Sequence, residues 1–287
     1  MTQTKHRLGK THVTENFPVA SRLLHPKHRP VIMALYHFAR AADDIADASS
    51  LSAEEKIRRL GAMEAGLIGE AEPGAEARAL HGALKTRGLS ARHPRDLLIA
   101  FRADATKLRY ADWWELMGYC AYSANPVGRF VLDVHGEDEA LWPASDAICS
   151  ALQIINHLQD CADDYTKIGR VYIPSDRLAA HGATAEMLGV PHATPSLRAT
   201  IIELSLKTRT LLREGRRLAR DVADLRLKFE IQVIYALAEA HIERLLVTDP
   251  LSQRAKMPRW RMGLVGVGAL TRGLVFGPPT GGNILER

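Results

Sequence analysis

Helical periodicity runs through nearly the whole chain, and that leaves few folds open. Apolar residues recur three and four apart in segment after segment, the spacing that lines one face of an α-helix. The stretch PVIMALYHFARAADDIADA, residues 30 to 48, reads as one such helix, with Pro30 suited to its first turn. Ser52 followed by Glu55 is a capping-box pattern that opens a second helix through Leu60 and beyond, until GEAEPG at 69 to 74 breaks it. The spacing predicts further helices over Ala75 to Leu84, Pro94 to Leu108, Asp112 to Leu132 and Ala144 to Asp164. Thr194 before Pro195 marks another start, whose register continues toward Leu246 with a kink near Gly215. Extended structure is suggested only for Arg170 to Ile173 and Leu264 to Val267. Amphipathic helices of this kind bury their apolar faces against one another, so the expected fold is all-α.

A chain of 287 residues can build one large core or two small domains. No serine-rich or proline-rich linker divides it, so a single domain over 1–287 is expected, with a core of about 16–246 and a basic tail at 251–287. The three cysteines, Cys120, Cys149 and Cys161, lie in apolar-rich segments without metal-ligand spacing, and an odd number argues against a disulfide framework. The first residues lack an apolar stretch of signal-peptide length, and no uncharged apolar run reaches the length of a membrane span. A reducing, cytoplasmic location is expected.

The formal net charge of +5 resides in the tail: Arg254, Lys256, Arg259, Arg261, Arg272 and Arg287 stand against Glu286 alone. Nucleic-acid binding would call for a basic stripe interleaved with stacking aromatics, and none is present. Mixed with Trp260, Leu264, Val265, Leu270 and Phe276, the tail's charge suits the anionic inner face of a membrane. The other reading is a loosely packed terminus.

Two acidic stripes carry the chemistry. In ARAADDIADA, Asp43 and Asp47 are four apart, one above the other on a helix face, where like charges repel. Tyr36 and Arg40 precede them on that side, and Arg40 offers a fixed fork of donors for a phosphate oxygen. In ALQIINHLQDCADDYTKIGR, Gln153, Asn156, Asp160 and Asp164 fall at spacings of three, four and four, on a face of amides and carboxylates without lysine or arginine. Magnesium prefers such oxygen ligands and is usually held by one or two carboxylates together with substrate phosphates. More than one such ion would neutralise a diphosphate and make it a leaving group. The cation left behind needs a dry apolar pocket. The bland alternative is two ordinary wet helix faces.

With these segments in view, the chain resembles the squalene and phytoene synthase family of head-to-head isoprenoid synthases, from about Asn16 to Leu246. YHFARAADDIAD at 36 to 47 matches the family's first aspartate motif, and QIINHLQDCADDYTKIGRVYIP at 153 to 174 its second. The resemblance implies an all-helical isoprenoid synthase fold around a central cavity, with magnesium held by Asp43, Asp47, Asp160 and Asp164. It implies a diphosphate region faced by Arg40 and Tyr36, with Asn156, Gln153, Arg170 and Tyr172 on the second wall. Within the family, ENFPVAS at 15 to 21, YCAYSANPVGRF at 119 to 130 and NHLQD at 156 to 160 most resemble the bacterial hopanoid-pathway subgroup. That subgroup converts presqualene diphosphate and water to hydroxysqualene and works beside a separate presqualene diphosphate synthase.

Several positions depart from the general family pattern. Asn16 stands before Phe17 where relatives often carry serine, and Gln159 stands where an arginine is common. Neutral Gln159 would remove one fixed charge from the diphosphate region, which an enzyme meeting a single diphosphate can tolerate. Ser123 and Asn125 replace part of a glycine-rich segment and are candidates for holding water, although Asn125-Pro126 also reads as a plain helix interruption. Trp113, Trp114, Tyr119 and Tyr122 suit a hydrocarbon cavity, ordinary core packing explains them almost as well, and Phe38 and Phe17 read either way. His157 reads as structural. No dinucleotide fingerprint appears, so no nicotinamide cofactor is expected. Two rivals stay open: a condensing synthase acting on two prenyl diphosphates, and a non-catalytic helical membrane-surface or assembly protein.

Overall fold

A computed structural model describes residues 23–72, 74–252 and 259–276. Twelve α-helices form among the described residues, and the one extended contact there is an isolated bridge between Arg109 and Val171. The first four are α1 (Arg29–Asp47), α2 (Ala53–Ile68), α3 (Ala75–Arg87) and α4 (Arg92–Asp104). Next come α5 (Trp113–Ser123), α6 (Asn125–His135), the 27-residue α7 (Trp142–Ile168) and the short α8 (Ser175–Ala180). The last four are α9 (Pro195–Glu214), α10 (Leu218–Asp221), α11 (Leu225–Val247) and α12 (Arg259–Phe276).

Local chemistry sets most of these boundaries. The Ser52 hydroxyl accepts from the Glu55 amide and Thr194 accepts from Leu197, each satisfying an amide that a helix start leaves orphaned. Gly69 ends α2 with φ +82°, a left-handed conformation that glycine adopts without a Cβ penalty.

Four expectations change in the folded chain. The segment Asp112 to Leu132 is two helices, because Ala124 leaves helical geometry (φ −129°) and Pro126 has no amide proton to continue the ladder. The helix beginning near Pro94 stops at Asp104, freeing Leu108 and Arg109 to meet Val171. The kink near Gly215 is a full break, with a tight turn over Gly215–Arg217, α10, and a fresh start capped by Asp224. Gly215 is required there: a Cβ would lie 2.7 Å from the Ala144 carbonyl oxygen of α7 and would overlap Ile148. Leu264 to Val267 is helical, inside α12.

Helix α7 is the axis of the fold, packed against α5, α6, α9 and α11. Ile148, Ile154, Ile155 and Leu158 on α7 meet Leu197, Ile201 and Leu204 of α9 in a continuous core. Phe38 and Ala42 of α1, both fully buried, belong to the same core and hold α1 in place. Full burial of a Leu, Ile or Phe side chain stabilises by about 1.5–3 kcal/mol, so these stripes fix both acid-bearing helices. All three cysteines are free thiols, pushed up to about 12 by burial and therefore inert. Among the described residues no helix is long and apolar enough to cross a membrane.

Candidate active site

A cavity of about 400 Å³ opens between α1, α4, α5 and α7. Its lining includes both acidic stripes: Tyr36, Arg40, Asp43 and Asp47 from α1, and Gln153, Asn156, Asp160 and Asp164 from α7. The buried faces of the two helices point into the core, so their polar faces share this space. Arg170, Tyr172 and Ser123 also reach it. Arg170 and Tyr172 return to the cavity because Gly169 ends α7 with φ +69° and the chain doubles back, the Arg170 amide donating to the Asp164 carbonyl.

On α1 the charges are strongly coupled. Arg40 donates to Asp43 at 2.8 Å and to Asp44 at 2.9 Å. Burial first, and then the nearby Asp47, push the Asp43 carboxyl up to about 7 against the pull of Arg40. Asp43 lines the cavity and its side chain stays partly accessible, so this carboxylate is open to a ligand that enters there.

Arg170 is 5% exposed and tied on several sides. It donates to Asp47 Oδ1 at 3.2 Å, to the Tyr172 hydroxyl at 3.0 Å and to the Asp104 carbonyl at 2.8 Å. Burial opposes its charge, but Tyr172, Asp104 and Asp47 outweigh that and raise its pKa further. Asp104 also accepts from the hydroxyls of Tyr119 (2.8 Å) and Tyr172 (3.2 Å). The His157 ring stacks on Tyr172 at 3.5 Å, faces Gln153 at 3.1 Å, and brings Nδ1 to 3.8 Å from Asp164. A continuous polar chain thus links the α1 stripe to the α7 stripe.

The remaining sequence candidates fall in varied places. Ser123 lines the cavity and its hydroxyl is buried without a hydrogen-bond partner. Asn125 does not line it: its amide oxygen accepts from Ser150 in the buried contact between α6 and α7. Tyr122 and Trp114 point outward, 42% and 78% exposed, while Trp113 and Phe38 are core residues. Asn16 and Phe17 lie outside the described residues. Gln159 corrects the sequence reading, since it is buried away from the cavity and bonds His241 of α11 at 2.8 Å.

Sequence reasoning does not single out Asp104 or Phe101 and reads His157 as structural, whereas Tyr119, a cavity candidate from the sequence, does line the cavity. Asp104 had a signal: it sits seven residues after Leu97, on the buried face of α4. A lone carboxylate on an apolar stripe calls for a partner.

An apolar cavity of about 240 Å³ adjoins the first and shares Val127, Cys149 and Leu152 with it. Its wall continues through Val131, Ile148, Leu227 and Ile231. A charged chamber beside a dry one suits a molecule with an anionic head and a hydrocarbon body.

Among the described residues no group of three or more His, Cys, Asp or Glu side chains forms a ready metal cage. Magnesium does not need one, because it keeps waters and takes one or two carboxylates plus substrate phosphates. The donor set fits that ion, with carboxylate oxygens on two walls of the cavity.

A family model described as squalene/phytoene synthase matches residues 10–261. The chain is 49% identical to the hydroxysqualene synthase of Rhodopseudomonas palustris, over 94% of this chain and 92% of that one. It is 48% identical to the hydroxysqualene synthase of Sinorhizobium fredii, over 92% and 90%. Among solved structures, squalene synthase HpnC from Alicyclobacillus acidocaldarius superposes with a TM-score of 0.69 at 32% identity, covering 78% of this chain and 85% of that one.

Proposed function

Because this chain belongs to the squalene/phytoene synthase family, we propose that it is an enzyme that converts presqualene diphosphate and water to hydroxysqualene and diphosphate. The observation that carries this reading is the pairing of a two-walled acidic cavity with an adjoining apolar one. Near-full-length similarity to two proteins named hydroxysqualene synthase supports the same choice within the family.

In this reading Asp43 and Asp47 on one wall, and Asp160 and Asp164 on the other, would hold more than one magnesium ion together with the substrate's diphosphate. Bound there, magnesium supplies Lewis-acid neutralisation of the leaving group. Arg40, Tyr36, Asn156 and Gln153 orient the diphosphate oxygens. Arg170 acts mainly through its grip on Asp47, since most of its donors are already committed. The carbon–oxygen bond breaks, both electrons leave with diphosphate, and the hydrocarbon cation rearranges against Phe101, Val127 and Leu152. Those walls exclude bulk water, so capture waits for rearrangement.

Water then adds to the cation and loses a proton to the departed diphosphate, which balances the step without a reductant. Ser123 is the residue for holding that water, because its buried hydroxyl lacks a partner and lies on the cavity wall. Asn125 is spoken for by Ser150 and takes no part. The substrate is a product of condensation, so a separate presqualene diphosphate synthase works upstream.

The deciding experiment offers purified protein, with magnesium, either presqualene diphosphate or farnesyl diphosphate. Hydroxysqualene from the first and no condensation from the second is the expected outcome. Presqualene diphosphate, squalene or phytoene made from prenyl diphosphates would replace the reading with a condensing one. Ser123→Val should keep diphosphate release and shift the lipid products from hydroxysqualene toward elimination or early-capture products. An unchanged product mixture removes Ser123 from the water's site.

A further inference from the structure

Four polar side chains of α7 share one stripe: Gln153, His157, Asp160 and Asp164 follow one another at spacings of four, three and four. All four line the charged cavity. Gln153, Asp160 and Asp164 have roles in the reaction proposed above, and His157 has none. Its imidazole is 9% exposed and lies along the helix with one nitrogen toward each end. Nε2 faces the Gln153 amide nitrogen at 3.1 Å, and Nδ1 faces Asp164 Oδ2, two turns further on, at 3.8 Å.

These contacts fix the tautomer of a neutral ring. An amide nitrogen only donates, so Nε2 accepts from Gln153 and the ring proton sits on Nδ1, the nitrogen that faces Asp164. No lysine or arginine pairs with Asp164 among the described residues. A carboxylate that holds a metal through one oxygen is commonly steadied by a donor on the other. At 3.8 Å the contact is too long for a direct hydrogen bond, and such contacts often tighten when an empty site fills.

The ring is not free to swing. Its face lies on Tyr172, with centroids 3.5 Å apart and planes 19° from parallel. Tyr172 is itself held, because its hydroxyl donates to Asp104 at 3.2 Å and accepts from Arg170 at 3.0 Å. Arg170 in turn holds Asp47 of the opposite wall at 3.2 Å. We propose that His157 is a positioning residue: it orients Asp164 for the metal and, through Tyr172 and Arg170, ties that carboxylate to Asp47 across the cavity. This role rests on the assignment of Asp47 and Asp164 as magnesium ligands.

The test is calorimetric titration of the purified full chain with inorganic diphosphate, with and without magnesium, which reads the site without turnover. Three variants separate the donor from the ring. His157→Phe keeps a flat ring for Tyr172 and loses both nitrogens. His157→Asn and His157→Leu both lose the ring, and only the first can place an N–H near the position of Nδ1. The last two differ little in size, so their comparison holds even if His157→Phe disturbs the fold. Magnesium-dependent binding should weaken about tenfold in His157→Phe and His157→Leu, and about threefold or less in His157→Asn. Binding by His157→Phe equal to the parent's, or by His157→Asn no better than by His157→Leu, overturns the proposal and leaves the metal assignment standing. Diphosphate binding by the parent that is indifferent to magnesium overturns both.

Discussion

Replacing Arg170 by methionine is the most informative single perturbation of this structure. Methionine keeps much of the buried stem but removes the charge and the donor fork. Asp47 then loses its contact at 3.2 Å, and buried Asp104 loses the cation 3.5 Å from its Oδ1. Removing one partner of a buried ion pair costs about 3–5 kcal/mol, because the other charge stays desolvated. With total stabilities of about 5–15 kcal/mol, that is a large share. For a chain of this size it corresponds to a fall in Tm of about 5–8 °C. The loss also has a sign in pH. Burial raises the Asp104 pKa even in the parent, against the opposing pull of Arg170, so without Arg170 it rises further. A carboxyl whose folded pKa exceeds its unfolded one destabilises the fold as pH rises through the folded value. The deficit should therefore be larger near pH 8 than near pH 5 in urea denaturation. Arg170→Lys, which keeps charge but not the fork, should fall between the two. A methionine variant within about 0.5 kcal/mol of the parent near pH 8, or a deficit independent of pH, would refute the reasoning.

Other consequences can be checked directly. Asp43→Ala or Asp160→Ala should cut metal-dependent diphosphate release by about 100-fold or more with unchanged helical content; near-normal turnover of either would sink the metal assignment. Removing magnesium with a chelator should likewise stop release, and restoring it should recover the activity. Gly215→Ala should destabilise by about 1–3 kcal/mol in thermal melts, because the new methyl meets the Ala144 carbonyl and Ile148. Burial foremost, then His135 and nearby cations, depress the His28 pKa to about 4. Stability is thus held above the ordinary histidine pKa and lost as pH falls through 6.5 toward about 4, and His28→Asn should flatten that part of the stability–pH curve.

Much of this molecule is readable from spacing alone, and the reason is geometric. Asp43 and Asp47, or Asp160 and Asp164, share a face whenever the segment is helical, whatever the rest of the chain does. Their opposite faces carry Phe38 and Ala42, or Ile155 and Leu158, so burial of those residues turns the acids toward the cavity. The angle of Gln159 on α7, rather than its position in the motif, decides where it goes. It lies four residues after Ile155 and eleven after Ile148, on the apolar side, and α11 receives it there through His241. The split at Ala124 could be anticipated from Pro126, whereas the break at Gly215 depends on how closely α9 approaches α7, which periodicity does not encode.

The buried cluster around Asp104 was illegible for a different reason. Tyr119 comes from α5, Asp104 from α4, His157 from α7, and Arg170 with Tyr172 from the loop beyond it. No local pattern announces a group assembled from four places in the chain. Its chemistry nevertheless follows once they meet. Burial raises the Tyr119 and Tyr172 pKa values well above normal, so both remain neutral phenols with protons directed at Asp104. A phenolate on this wall would be a nucleophile beside a carbocation, and a neutral ring is instead a polarisable face that stabilises one. Arg170 lies between Asp104 and Asp47 and offsets part of their combined negative charge. The cluster therefore fixes Asp47 on one side and presents an unreactive aromatic surface on the other. In the proposed reaction both would serve the departure of diphosphate and the survival of the cation until water is delivered.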